Sequence, residues 1–125
     1  MTVRIKNDIS GVKFAKINHA KLATYRNARE AFLEKLSRSK KNRDLYLKVA
    51  IEDFEQEKNL PAFLLALRNI VTAGGGVQDL AQKLKLNRQT IYKALSPKGN
   101  PSFALVDVII NALGMRLAVR ARKYS

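Results

Sequence analysis

Cysteine is absent from the chain, and histidine occurs once, as His19, among the 125 residues. Without cysteine the protein can form no disulfide, no thiolate nucleophile and no thiolate metal site. A catalytic triad or a metal site needs several convergent ligands, which a lone histidine cannot supply. We therefore expect a protein that is not an enzyme and that holds no metal or other cofactor.

Long apolar runs are also absent, since stretches such as Phe63–Leu67 fall far short of the about 20 residues that a membrane-spanning helix needs. The first ten residues, MTVRIKNDIS, lack the apolar stretch of a signal peptide. Hydrophobic residues still make up 46% of the chain, enough for one domain with its own core. These features predict a cytoplasmic protein without a membrane partner.

Acidic residues are scarce: ten Asp and Glu stand against 24 Lys and Arg, a net charge of +14. Residues 1–43 contain twelve cations and three acids, and residues 44–125 contain twelve and seven. Such a charge attracts polyanions and favours a nucleic-acid partner, although a merely soluble basic protein or one with an acidic partner would share it. Four acids cluster around one predicted helix as a solvated face rather than an active site: Glu52, Asp53, Glu55 and Glu57.

Two short helical patterns flank a tight break between residues 77 and 95. Their apolar positions recur at helical spacing: Leu80, Ala81 and Leu84, then Ile91, Ala94 and Leu95. Asn87 can cap the second helix by accepting from a backbone N–H two or three residues on, and Leu86 is expected to fill the turn. The pattern is typical of a helix-turn-helix, whose second helix lies in the DNA major groove. Lys85 stands where such turns usually have Gly, and a left-handed Lys costs roughly 1 kcal/mol.

The polar basic stretch at residues 37–43 divides the chain. Residues 1–43 are expected to form a basic N-terminal extension with one helix, and residues 44–125 a helix-turn-helix domain. The fold is therefore predicted to be all-α, with five to six helices, the domain's own lying at about 44–57, 61–73, 77–84, 88–95 and 102–113. Beyond them, Met115, Leu117 and Val119 alternate with other residues, which predicts a short C-terminal strand with a free edge.

The stretch after the helix pair, YKALSPKGNPSF, is the most distinctive part of the chain. The positions that make it distinctive are Tyr92, Ala94, Leu95, Ser96, Gly99, Asn100, Pro101, Ser102 and Phe103. On these residues the chain resembles the addiction-module antidote proteins, antitoxin-type regulators similar to the HigA group, over about residues 45–120. The resemblance implies a λ-repressor-like bundle and a RelE/ParE-like toxin as partner.

The implied toxins are usually basic, and the N-terminal extension of this chain is an awkward surface for neutralising them. Three explanations stay open: the acidic helix at 44–57 contacts the toxin, the extension serves DNA, or the toxin link does not apply to this member.

The predicted recognition helix carries side chains of the types that read base edges. Arg can bond guanine O6 and N7, and Gln can bond adenine N6 and N7. The candidate base contacts are Arg88, Gln89 and Lys93. The candidate backbone contacts are Gln78, Thr90, Tyr92 and Lys98. For Tyr92, packing against the Pro97 loop is the alternative.

A lone helix-turn-helix buries little DNA, so we expect a homodimer that reads operator half-sites about 34 Å apart. Its interface would be the C-terminal strand or the apolar face of the last helix. The sequence thus predicts a sequence-specific repressor of double-stranded DNA, of the antitoxin type, that controls its own operon. Two alternatives stay open: a protein-binding antitoxin or adaptor whose helix-turn-helix no longer reads DNA, and a nonspecific nucleic-acid binder driven by charge.

Overall fold

A computed structural model of the chain describes residues 19–123, which form six helices and no strand. In chain order these are α1 (His19–Arg38), α2 (Lys40–Glu57), α3 (Leu60–Ala73), α4 (Gly76–Leu84), α5 (Arg88–Ala94) and α6 (Phe103–Ala112). The predicted all-α architecture is confirmed.

The chain divides into two compact units, with the division between Phe32 and Leu33 inside α1. In the described part of the first unit, the α1 side chains are mostly exposed, Tyr25 to 76%. In the second unit the last turn of α1 contributes Leu36, which is 5% exposed. The domain boundary expected after residue 43 stays a prediction.

The break between α1 and α2 is shorter than the polar stretch at 37–43 suggested, because α2 begins at Lys40 rather than at residue 44. Ser39 provides the N-cap: its φ of −141° is extended, and its Oγ accepts from the backbone N–H of Asn42 at 3.2 Å. Once capped, Lys and Arg are good helix formers, so a basic run continues as helix. Arg43 then donates to the carbonyl oxygens of Leu36 and Ser37 at 2.9 and 3.1 Å, holding the end of α1.

The core of the second unit is built around α3. This helix packs against α2 and α4, and α4 in turn packs against α5 and α6. The buried cluster consists of Leu47, Leu64, Leu67, Ile70, Val71, Val77, Leu80, Ala81, Ile91, Leu95, Ile109 and Ile110. Within it lies one polar side chain, Asn69, which is 5% exposed and donates from Nδ2 to Tyr46 Oη at 3.4 Å.

The strand predicted at Met115–Val119 is not formed. Met115 and Leu117 do pack against the core, and Arg116 and Ala118 are exposed, so the predicted alternation of sides is present. A strand also needs a second strand to complete its hydrogen-bond ladder, and the described residues contain none. From Val119, which is fully exposed, the segment lies open to solvent as far as Lys123.

Among the described residues no single helix is long and apolar enough to cross a membrane. Taken together, α3 and α4 would be long and apolar enough, but they are bent by 92° and supply much of the buried core.

Candidate nucleic-acid interface

The turn between α4 and α5 is set by a left-handed residue. Lys85 has φ 56° and ψ 42°, its backbone N–H donates to Gln82 O at 3.3 Å, and the next N–H, of Leu86, donates to Ala81 O at 3.0 Å. This pair of bonds is the Schellman arrangement, which satisfies the last carbonyls of a helix. The turn therefore has the conformation that Gly usually provides, reached here by Lys at a cost of about 1 kcal/mol.

Asn87 is the N-cap of α5, as predicted. Its Oδ1 accepts from the backbone N–H of Gln89 at 2.7 Å, and its φ of −70° with ψ 133° is extended. On the inner side of α5, Ile91 is fully buried and Leu95 is 2% exposed, so the helix is fixed to the core through one face. Leu86, which was expected to fill the turn, is 37% exposed.

The structure brings two of the predicted contact residues together. Arg88, the first residue of α5, donates from NH1 to Oε1 of Gln78 near the start of α4, at 3.3 Å. Both side chains are exposed. A guanidinium has five N–H donors, so Arg88 keeps donors for a ligand while Gln78 orients it.

The other predicted contact residues are also solvent-exposed, with Tyr92 at 49%. Packing of Tyr92 against the Pro97 loop stays a prediction. On α5 they are Gln89, Thr90, Tyr92 and Lys93, and in the following loop Lys98. Sequence reasoning overlooked Gln82, which lies one turn after Gln78 on α4 and is exposed too. The spacing of four residues between the two glutamines was the available signal.

The loop after α5 is held tightly against the end of that helix. Ser96 Oγ donates to Lys93 O at 2.8 Å, and the Gly99 N–H donates to Ser96 O at 2.8 Å. A Cβ on Gly99 would overlap the carbonyl oxygen of Ala94 and lie 2.9 Å from Lys93 O. Only glycine fits this close approach of the loop to α5. The approach fixes the position of the loop that carries Lys98. No pattern in the sequence indicates this packing.

Charge is distributed unevenly over the second unit. Residues 80–106 contain five cations (Lys83, Lys85, Arg88, Lys93 and Lys98) and no Asp or Glu. By contrast, α2 ends in its cluster of four acids. The α4–α5 region therefore suits a polyanion, and its one carboxylate, Asp79 on α4, lies 3.4 Å from Lys83 Nζ.

The described residues hold no group of three or more His, Cys, Asp or Glu side chains that could bind a metal ion.

Fold and turn geometry together define an all-α helix-turn-helix protein. Residues 23–121 match the sequence model of a family described as "Probable addiction module antidote protein". The chain belongs to this family. An uncharacterised protein of Haemophilus influenzae is 30% identical over 79 residues, covering 63% of this chain and 80% of that protein. No solved structure matches the chain.

Proposed function

We propose that this protein is a non-catalytic antitoxin-type regulator that binds double-stranded DNA sequence-specifically and represses its own operon. Membership of the antidote family supports the antitoxin part. The contact between Gln78 and Arg88 carries the DNA part, because it holds an exposed guanidinium at the N-terminal end of the second helix. In helix-turn-helix proteins that end contacts base edges.

Base reading is assigned to the start of α5. Arg88 would donate to guanine O6 and N7, and Gln89 would pair with adenine N6 and N7. Lys93 lies about one turn further along the exposed side, within reach of the next bases. Each of these contacts needs a side chain that is free to enter the groove, and all three are exposed.

Phosphate contacts fix such a helix in its groove. Gln78, Thr90, Tyr92 and Lys98 are the residues proposed for this role. Gly99 supports the assignment for Lys98, because its packing under Ala94 holds the loop beside the recognition helix. The five cations of residues 80–106 would add affinity that does not depend on sequence and weakens with salt.

A homodimer completes the proposal, because two recognition helices about 34 Å apart read two half-sites on one face of DNA. A RelE/ParE-like toxin is the further partner, and the family membership supports a toxin of some kind. Co-expression tests this part: the chain should restore growth to cells expressing the toxin encoded beside its gene and should co-purify with it.

Fluorescence anisotropy tests DNA reading directly. The protein is titrated into labelled DNA from upstream of its own gene and into a scrambled duplex, across a salt series. We expect a preference of at least about a thousandfold that persists at physiological salt. Equal binding to both duplexes that disappears with salt would leave a nonspecific polyanion binder. No binding to either, with the toxin still bound, would indicate the protein-binding adaptor instead.

A further inference from the structure

An apolar groove with an acidic edge runs between α2 and α3, away from the α4–α5 turn. It encloses about 220 Å³. Its apolar wall includes Val49, Ala62, Phe63 and Ala66, and its carboxylates are Asp53 and Glu57. Val49 is 45% exposed, so the groove is open to solvent. In the part of the chain that the structure describes, neither carboxylate has an ion-pair partner.

The carboxylates that line this groove are opposite in sign to the net charge of the chain. Asp53 and Glu57 belong to the acidic cluster of a chain with net charge +14. Two copies of such a chain repel each other over most of their surfaces, so a dimer is favoured where an acidic surface meets a basic one. The groove is the acidic surface, and its apolar wall requires an occupant with apolar side chains as well.

The segment Val119–Lys123 has the matching chemistry. Val119 is fully exposed, and Arg120, Arg122 and Lys123 follow it without an intervening acid. Every residue of the segment is exposed, and none is in a helix or strand. The segment does not line the groove of its own chain. It is therefore an open, basic and partly apolar segment that a second copy could receive.

The spacing of the charges also agrees. Asp53 and Glu57 are four residues apart on a helix, which places their Cβ atoms about 5–6 Å apart. In an extended chain Arg120 and Arg122 are two residues apart, about 6.6 Å, and point to the same side. Val119 and Ala121 then point to the opposite side, toward the apolar wall. One extended segment can thus pair both carboxylates and fill the groove.

We propose that the groove between α2 and α3 binds the Val119–Lys123 segment of a second copy of this chain, reciprocally in a two-fold dimer. The proposal rests on the dimer that the proposed function requires and assigns its interface. Each dimer would contain two equivalent contacts, each made of one apolar insertion and two ion pairs. Both sides of the contact are present in one chain, so no further component is needed.

Charge exchange between two variants tests the proposal. Asp53→Lys with Glu57→Lys makes the groove basic, and Arg120→Glu with Arg122→Glu makes the segment acidic. Either variant alone places like charges at both contacts of its own dimer, so we expect a dimer at least about tenfold weaker than wild type. In a one-to-one mixture both contacts are again complementary, so heterodimers should form. Sedimentation velocity and native mass spectrometry measure this with the full chain.

A matched control uses the same helix and the same change of charge. Glu52 and Glu55 are exposed on α2 but do not line the groove, so Glu52→Lys with Glu55→Lys should leave the dimer near wild-type strength. Circular dichroism of every variant checks that the helices are retained. The variant with all four substitutions in groove and segment should dimerise with itself again.

Several results would overturn the proposal. These are a monomeric wild-type protein at micromolar concentration, single variants that dimerise as well as wild type, and a mixture that forms no heterodimer. A groove variant that remains dimeric but loses its toxin would assign the groove to that partner instead. Operator binding separates the two proposals: groove variants that still bind operator as dimers refute only the interface. Wild-type protein without operator preference refutes the function.

Discussion

Two helical hairpins of this protein have similar turns, but the charged residues beside those turns differ: acids end α2, and cations surround the α4–α5 turn. The α2–α3 hairpin turns at Lys58 with φ 55°, and the α4–α5 hairpin turns at Lys85 with φ 56°. In each, an Asn then caps the following helix: Asn59 accepts from a backbone N–H at 3.1 Å and Asn87 at 2.7 Å. One difference is the single extra residue, Leu86, between the left-handed Lys and the cap.

The comparison separates what builds a hairpin from what gives it a function. Left-handed C-caps and Asn N-caps satisfy backbone groups and are indifferent to the charge of neighbouring side chains. The charges beside the two turns differ, because the first hairpin ends α2 with acids, whereas the charged residues of α5 are all cations. Only the second hairpin is followed by a loop that packs against its end through Gly99.

The largest effect on stability should come from disrupting the packing of the loop at Gly99 against the end of α5. Gly99→Ala would place a methyl group against the Ala94 carbonyl, a backbone atom that cannot move without moving α5. We expect a loss of about 3 kcal/mol in the free energy of unfolding, at the upper end for overpacking. Urea denaturation measures it.

Gly74→Ala is the control for this prediction. Its Cβ would lie 3.1 Å from Ile70 O and 3.4 Å from Nε of Arg43, and the Gly74 φ of −95° suits alanine. Alanine at position 74 should therefore be much less destabilising. Equal losses at 74 and 99 would contradict a special role for the loop.

The second prediction sharpens the functional contrast between the hairpins. Arg88→Ala should weaken operator binding by about 1–3 kcal/mol and relax the preference for one base. Lys48→Ala, which removes an exposed cation from α2, should leave base preference unchanged. Anisotropy with single-base operator variants distinguishes the outcomes. A loss from Arg88→Ala that is equal on every duplex would make Arg88 a phosphate contact.

A third pair of variants tests whether the two Asn N-caps, which have similar geometry, also contribute equally to the free energy of unfolding. Asn59→Ala and Asn87→Ala each leave a backbone N–H of a first helical turn without its side-chain acceptor. Each should lower the free energy of unfolding by about 1 kcal/mol. If only one substitution has an effect in urea denaturation, the other helix end is held by packing rather than by its cap.

The smallest effects concern the two left-handed lysines. Lys85→Gly should stabilise the protein by about 0.5 kcal/mol, because relief of backbone strain slightly exceeds the added entropy of the unfolded chain. Lys58→Gly should gain less, since Lys58 Nζ lies 5.7 Å from the Phe54 ring centroid and that contact is lost. Thermal denaturation compares the pair; a larger gain at 58 would contradict this account.

The helix-turn-helix could be predicted from sequence because its determinants are local. Apolar spacing around Leu80 and Ile91 fixed the buried faces, and Asn87 is a strong N-cap residue in the position where it acts. Lys85 departs from the usual Gly of such turns, but it adopts the left-handed conformation that the turn requires. The exposed candidate contact residues follow from the same periodicity, although their contacts with DNA remain a prediction.

Of the features that were missed, one is local and two depend on nonlocal packing. The basic run at 37–43 has the composition of a linker, but Ser39 caps a helix that continues through it. The strand at 115–119 has the right alternation, but its ladder requires a second strand that the pattern cannot supply. The approach of Gly99 to Ala94 depends on how a loop folds back, which no residue spacing indicates.

The buried amide of Asn69 has a consequence for how α3 finds its place during folding. Apolar helix surfaces carry no directional contacts of their own, whereas Nδ2 of this amide reaches Tyr46 Oη, at 3.4 Å, in the observed alignment. In a slipped hairpin it would be buried without that partner, at a cost of roughly 1–3 kcal/mol. The contact between Asn69 and Tyr46 therefore favours the observed alignment of α3 against α2.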